Sequence, residues 1–259
     1  MSRRRLDTEL VRRRLVESRA AARRAIDERR VRVGDVAQPK AATLVDQATS
    51  IDLIEPEAAY VSRGGVKLAG AMEQLDIPIA GRKALDAGAS TGGFTDYLLQ
   101  QGAAGVTALD VGYGQLHWRL RGDPRVRVVE RTNLRLVDPQ DLDAPFDLVV
   151  ADLSFISLAM VAKVLASVGH AGTDYLLLVK PQFEVGPERV GKGGVVRDPA
   201  AHAAAIDGVV EALAEAGLGT RGVVASQITG EKGNREFFLW ARPGPSSLDE
   251  DRIAEAVGA

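Results

Sequence analysis

The sequence predicts a doubly wound α/β domain preceded by a small, basic α+β module. Three observations carry this reading. From about residue 82 onward, short β-rich runs alternate with helical ones. Several of those runs, such as Tyr175-Leu-Leu-Leu-Val179, are apolar throughout, as strands covered on both faces must be. Residues 1–33 carry twelve arginines against five acids, a local balance of +7, although the whole chain sums to −2. A basic head therefore precedes an acidic body. The 259 residues leave room for one domain of about 200 residues and an appendage. The organisation expected is 1–55 for the head, 56–62 for a linker and 63–259 for the body.

In the head, Leu6, Leu10, Val11 and Leu15 recur at helical spacing, with Arg12, Arg13 and Arg14 on the solvated face. Ser18 is placed to cap a second helix running from Arg19 to Ile26, whose alanines suit close packing. Val31-Arg-Val33-Gly34-Asp35 alternates and then turns, which predicts a short strand and hairpin. So small a module buries little, and is expected to lean on its neighbour or on a polyanion. The stretch from Glu55 to Ala59 reads as linker, and Arg63-Gly64-Gly65 with Lys67 opens the body. Strands are predicted at 83–87, 106–111, 126–130, 146–153, 175–179, 221–227 and 236–241. Helices are predicted at 94–101, 116–120, 158–168 and 200–216. Two strands follow the last of these helices, so the final strand is expected to insert antiparallel.

Composition excludes several chemistries. With no cysteine, the chain has no disulfides, no thiolate metal sites and no cysteine nucleophile. His117, His170 and His202 are scattered, and no metal-ligand spacing occurs, so no metal is expected. No apolar run approaches the roughly 20 residues of a membrane span. Arg3-Arg4-Arg5 is not followed by an apolar core, so a secretory signal is not expected. A cytoplasmic, soluble protein without membrane partners is the expectation. The arginine-rich head points to nucleic acid; the bland alternative is a solvated helix in a chain holding 26 arginines and 7 lysines.

The first body strand runs into Asp86-Ala-Gly88-Ala-Ser90-Thr91-Gly92-Gly93-Phe94. Glycines between a strand and a helix let backbone approach a cofactor closely. A dinucleotide turn would read G-x-G-x-x-G, with a diphosphate on the helix N-terminus. Here an acid comes before the first glycine, awkward for a diphosphate but welcome near a sulfonium and an amino group. Asp110 ends the next strand, where a carboxylate can accept ribose hydroxyls. The pair points to S-adenosylmethionine rather than to a tight turn with a packing acid.

The acceptor atom is narrowed by elimination. Carbon-5 methylation of a pyrimidine needs a cysteine nucleophile, which is absent. An exocyclic amine or a ribose 2′-hydroxyl remains. Asp152-Leu-Ser-Phe155 follows the fourth strand and has the acid and aromatic of an amine-methylating loop, but not its prolines. A 2′-hydroxyl is a very weak acid and needs a positioned base. Lys67 opens the body and Lys180 ends its fifth strand, at the edge where doubly wound folds place their sites. Lysine can serve as a base when its surroundings lower its pKa, whereas arginine cannot. Taken singly, these are surface lysines, and Glu236 is a strand-edge acid.

In order, Lys67, Asp152, Lys180 and Glu236 resemble the K-D-K-E tetrad of FtsJ-type ribose 2′-O-methyltransferases. The head, from Arg5-Leu-Asp through Ser18-Arg19, Ala22-Arg23 and Val31-x-Val33-Gly34-Asp35 to Lys40, resembles the αL-type RNA-binding domain. Longer runs extend the likeness: Tyr60-Val-Ser-Arg63-Gly-Gly-Val-Lys67, Asp110 to Trp118, Glu130-Arg-Thr-Asn133, Asp152 to Ser157, Lys180-Pro-Gln-Phe-Glu-Val185 and Gly191 to Val196. Over nearly its full length the chain resembles the TlyA (hemolysin A) family of ribosomal RNA methyltransferases. That resemblance implies a class I methyltransferase sheet and 2′-O-methylation of cytidine in ribosomal RNA, within one or both subunits, by a monomer. It implies Lys67, Asp152, Lys180 and Glu236 as catalytic. Asp86, Gly88, Ser90, Thr91, Gly92, Gly93, Phe94, Asp110 and Asn133 become the cofactor site. Arg3, Arg5, Arg19, Arg23, Lys40 and Arg63 become RNA contacts, and Phe155 a platform for a flipped nucleotide. Ala58 departs from the arginine common at that place in the family's linker. An RNA base N-methyltransferase and a membrane-lytic protein, which the older family name denotes, are the alternatives.

Overall fold

The computed structural model describes residues 3–34, 36–54 and 58–258. The chain divides into two compact units, the first ending at Ala58 and the second beginning at Ala59.

The first unit runs β1 (Arg4–Arg5), α1 (Leu6–Arg12), α2 (Arg19–Asp27), β2 (Val31–Val33), β3 (Leu44–Val45) and β4 (Ile51–Leu53). Two antiparallel pairs form, β1 with β3 and β2 with β4. Ser18 Oγ accepts from Ala21 N, so α2 starts as its cap residue dictates. Leu6, Leu10, Ala22, Ala25, Ile26, Val31, Val33, Val45 and Ile51 form a core of the unit's own. Two expectations need correction. β2 finds its strand partner at 51–53, because apolar Ile51 and Leu53 match its Val33 and Val31, and the expected local hairpin is reduced to a single Val33–Val36 bridge in which Val36 N donates to Val33 O; Asp35 of the expected turn lies outside the described residues. Arg13 is not on a solvated face: its guanidinium donates to Glu9 and to the carbonyls of Thr49 and Asp46. α1 ends at Arg12, three residues short of the Leu15 included in the helical spacing, and Arg14 takes a left-handed φ of 57°.

The second unit runs α3 (Arg63–Leu75), β5 (Lys83–Ala87), α4 (Gly93–Gln100), β6 (Gly105–Leu109), α5 (Trp118–Arg121), β7 (Val126–Val129), β8 (Phe146–Ala151), α6 (Ala162–Ser167) and β9 (Gly169–Val179). It continues through α7 (Pro181–Glu184), α8 (Pro199–Glu215), β10 (Leu218–Ala225), β11 (Phe237–Pro243) and α9 (Glu250–Gly258). Its sheet has the order β10-β11-β9-β8-β5-β6-β7. β5 to β9 are parallel, and β11 lies antiparallel between β9 and β10. The antiparallel insertion is therefore as the sequence predicts. Two apolar layers cover the faces. One is built on Phe146, Tyr175, Leu177 and Phe237, the other on Leu68, Leu98, Leu148, Leu176 and Phe238. Alternation along β9 sends Tyr175, Leu177 and Val179 to one layer and Leu176 and Leu178 to the other, which is why that strand is apolar at every position.

Three helices, α3, α7 and α9, were not expected from the sequence. α3 carries glycines that read as a junction, yet they serve packing: a Cβ on Gly65 would fall into the Tyr60 ring. α9 places Ile253, Ala256 and Val257 on the first layer. The predicted helix 158–168 is broken into a 3₁₀ turn at Leu158–Met160 and α6. Ala59 and Val61, expected in the linker, are fastened to α4: Gln100 donates to Ala59 O, and Asp96 accepts from Val61 N at 2.7 Å. The chain runs β5-β6-β7 to one side and then returns to β8 on the other. The crevice beyond the carboxyl ends of β5 and β8 is thus the switch point where such sheets bind ligands.

Candidate active site

Four elements bring the lysine–carboxylate tetrad to that crevice. Asp152 directly follows β8, Lys180 directly follows β9, and Lys67 lies in the second turn of α3. Glu236 sits one residue beyond the Phe237–Val179 pair, so the antiparallel register of β11 carries it to the end of β9. Lys67 Nζ donates to Glu236 Oε2 at 2.6 Å, the two side chains being 11% and 3% exposed. Lys180 Nζ lies 2.5 Å from Asp152 Oδ1 and donates to Ser154 Oγ at 2.9 Å. The tetrad is thus two ion pairs, and Glu236 partners Lys67. All four side chains line one cavity of about 860 Å³.

The cofactor loop forms the adjoining wall. Asp86, Gly88, Ser90, Thr91, Gly93 and Phe94 line the same cavity. Asp86 is fully buried; its Oδ2 accepts from Thr95 N at 2.9 Å and Thr95 Oγ1 at 2.7 Å. Its Oδ1 is buried with no hydrogen-bond partner among the described residues. Burial pushes this carboxyl up to about 7, the nearby charges of Asp152 and Asp110 adding to the rise and the Thr95 bonds opposing it. An acceptor aimed into a cavity without a donor is what an ammonium group would satisfy, so the residues present fit a cofactor with a positively charged amino-acid end. Gly88 has φ 85°, and a Cβ there would lie 2.6 Å from Asp152 O. Gly93 lets α4 start against α3, where a Cβ would strike Ser62 Oγ.

Other expected positions lie elsewhere. Asp110 accepts from Ser90 N at 2.8 Å and Gly112 N at 2.6 Å, so it shapes the loop that lines the cavity without lining it itself. Gly92 caps α4 at φ 95° behind the cavity wall. Asn133 is exposed, and its Oδ1 accepts from Arg135 N at the start of a 3₁₀ turn.

On the acceptor side, Phe155 is 91% exposed at φ 64°, its ring 5.4 Å from that of Phe183. Glu184 holds that loop, accepting from Ser157 Oγ at 2.6 Å and Leu158 N at 2.9 Å; burial raises its pKa. Arg63 is exposed at the cavity rim and donates to Thr229 O at 2.6 Å. Ser154, Gln182, Phe183 and Asn234 also line the cavity and were not singled out from sequence. Asn234 is buried, donates to Gly194 O and accepts from Val196 N, which pins segment 194–196. The runs Asp152 to Ser157 and Lys180 to Val185 contained three of these four positions, but not their contacts.

In the first unit, Arg5, Arg19 and Arg23 converge on the buried Asp7, and Arg3 and Lys40 are exposed. Asp7 is held well below the usual carboxylate range, chiefly by its hydrogen bond from Arg5. Among the described residues no group of three or more His, Asp or Glu side chains is placed to hold a metal ion, and no helix is long and apolar enough to cross a membrane.

Residues 60–243 match the FtsJ-like methyltransferase family, and residues 4–45 match the S4 domain. The chain is 51% identical to the 16S/23S rRNA (cytidine-2′-O)-methyltransferase TlyA of Mycobacterium tuberculosis, over 98% of this chain and 93% of that protein. It is 36% identical to the 23S rRNA (cytidine-2′-O)-methyltransferase TlyA of Campylobacter jejuni, over 76% of each chain. A solved structure from Streptococcus thermophilus that carries the name hemolysin superposes with a TM-score of 0.76. It is 35% identical, covering 100% of this chain and 95% of that one.

Proposed function

Because the chain belongs to the FtsJ-like methyltransferase family, in its TlyA branch with an N-terminal S4 domain, we propose that it methylates the ribose 2′-hydroxyl of cytidine in ribosomal RNA. The methyl donor would be S-adenosylmethionine, and the substrate RNA within one or both ribosomal subunits. Such a substrate would be met in the cytoplasm, where the proposed acting form is a monomer. The observation that carries this reading is the joint cavity. One buried and one partly buried lysine–carboxylate pair line a cavity with a loop whose Asp86 offers an unpartnered oxygen.

S-adenosylmethionine supplies an electrophilic methyl group on a sulfonium. Asp86 Oδ1 would receive its ammonium, Ser90, Thr91 and Gly93 its nearby polar atoms, and Asp110, with Asn133 beyond it, the ribose end. Phe155 would stack the everted cytosine. Lys180, ion-paired with Asp152 at 2.5 Å and donating one N–H to Ser154 Oγ, would hold the 2′-oxygen beside that pair. As the oxygen–carbon bond forms, the donor's sulfur–methyl bond would break, its electron pair staying on sulfur as a neutral thioether, and Lys180 would take the hydroxyl proton while passing one of its own to Asp152. Lys67, set by Glu236, would hold the ribose or its phosphate. Much of the acceleration is positional, since two reactants are brought into line. Arg3, Arg5, Arg19, Arg23, Lys40 and Arg63 would grip phosphates, which orient the RNA without reading it.

The rival acceptor, an exocyclic amine served by Asp152, is disfavoured because that carboxylate is already committed to Lys180. The test is to methylate ribosomal subunits with purified protein and digest the RNA with alkali. A 2′-O-methyl group blocks cleavage at its own linkage and leaves a resistant dinucleotide. Methyl label recovered only in mononucleotides would overturn the proposal in favour of base methylation.

A further inference from the structure

Asp7 is an acid with no exposed surface in the most basic part of the chain. Its Oδ1 accepts from Arg5 Nε at 3.1 Å, and its Oδ2 from Arg5 Nη2 at 3.2 Å and Arg19 Nη2 at 2.9 Å. Arg23 Nε lies 3.7 Å from the same Oδ2. Arg19 and Arg23 are one turn apart on α2, and Arg5 immediately precedes α1. Packing of Leu6 and Leu10 against Ala22, Ala25 and Ile26 brings the two helices together around the carboxylate. The three arginine side chains nevertheless stay 46%, 55% and 58% exposed. Each guanidinium has five N–H donors; Arg5 spends two on Asp7, Arg19 one and Arg23 none.

The arrangement differs from the other arginine cluster of the unit. Glu9 gathers Arg4, Arg12 and Arg13, but Arg13 is consumed by the carbonyls of Thr49 and Asp46 and fastens the fold. Around Asp7 no arginine is consumed in that way. Three like charges this close would splay apart without a carboxylate between them. Free arginine side chains also lose rotamer freedom when they bind, and holding them beforehand removes that cost.

We propose that Asp7 is a positioning residue that holds Arg5, Arg19 and Arg23 together as one preformed site for backbone phosphates of RNA. This deepens, and rests on, the reading that the first unit grips ribosomal RNA. Asp7 itself touches no phosphate. It lowers the net charge of the head by one and raises the affinity of the charges that remain. Charge counting and positioning therefore predict opposite signs for one substitution.

Asp7→Asn adds one positive charge to the head, which by counterion release alone tightens RNA binding and steepens its salt dependence. Positioning predicts the reverse. Binding of a ribosomal RNA transcript should weaken on the order of tenfold, with a shallower slope against salt, as three ordered side chains become mobile. Equal or tighter binding by a folded Asp7→Asn protein overturns the proposal and leaves the RNA reading intact. Wild-type protein whose affinity for the transcript does not fall with salt overturns the RNA reading itself. Where circular dichroism shows that Asp7→Asn has lost the head's fold, Arg19→Lys with Arg23→Lys decides instead. That pair preserves net charge and leaves Arg5 on Asp7, but removes two planar forks. Binding several-fold weaker at unchanged charge supports positioning, and unchanged binding overturns it.

Discussion

Removing Lys67 should destabilise the methyltransferase unit far more than a surface lysine would, and removing Glu236 as well should restore most of the loss. The pair is 2.6 Å apart with side chains only 11% and 3% exposed, so Lys67→Met strands a carboxylate away from water. Breaking one side of a buried pair costs about 3–5 kcal/mol, whereas replacing both members by apolar side chains of similar volume is often neutral. For a unit of roughly 200 residues, 1 kcal/mol corresponds to about 2–4 °C in melting temperature, giving a loss of roughly 6–20 °C. Glu236→Leu should fall by a similar amount, and Lys67→Met with Glu236→Leu should melt near wild type. Thermal unfolding followed by circular dichroism measures all four proteins, and methyl transfer is assayed in parallel. Activity should be lost in all three variants, so that stability returns in the double variant without catalysis. Single variants melting within about 2 °C of wild type would refute the buried pair.

Lys180→Arg keeps the positive charge but cannot take a proton; methyl transfer should be abolished with cofactor affinity nearly unchanged, and near wild-type turnover would end the proton-accepting role. Asp110→Ala should weaken cofactor binding measured by calorimetry, because it frees the Ser90 and Gly112 amides that shape the cavity loop and removes the proposed ribose contact. With its folded carboxyl raised to about 7 against an ordinary 3.8, Asp86 favours the free fold below the ordinary value and loses that contribution as pH rises through about 7. A cationic cofactor needs the ionised form, so its affinity should rise over the same window, by up to about tenfold per pH unit below 7; affinity flat with pH would contradict this. Gly93→Ala should force α3 and α4 apart at Ser62 and Gly65, costing about 1–3 kcal/mol by chemical denaturation together with cofactor affinity.

Legibility in the sequence followed the distance over which each feature is encoded. The apolar run 175–179 and the turn from Asp86 to Phe94 are written in adjacent residues; the turn stands where the sequence predicts it, and the strand ends at Val179 as predicted but begins already at Gly169. α3 was hidden because Arg63-Gly64-Gly65 reads as a turn when neighbours alone are considered; its glycines answer to Tyr60 and, at Gly70, to Gln227. Arg13 looked solvated because its partners are carbonyls of residues 46 and 49, which no helical periodicity contains. The tetrad was legible as a set through its resemblance, but its pairing was not. That Glu236 answers Lys67 depends on the strand register beside β9, a property of the folded sheet. Asp110 was recognised as an acid after a strand, while the two amides that occupy it come from a loop whose shape the pattern does not specify.

The contact between Lys67 and Glu236 joins residues 169 positions apart, one near the start of the second unit and one at the edge of the strand inserted after its last long helix. The proposed reaction centre is consequently also a fastening that closes this unit's chain upon itself. On a ribosome making this protein, Lys67, Asp152 and Lys180 emerge well before Glu236, and the proposed centre would be incomplete until β11 has taken its place between β9 and β10. Because β11 lies inside the sheet with Phe237, Phe238 and Leu239 fully buried, the join between Lys67 and Glu236 would part only when the core strands themselves open.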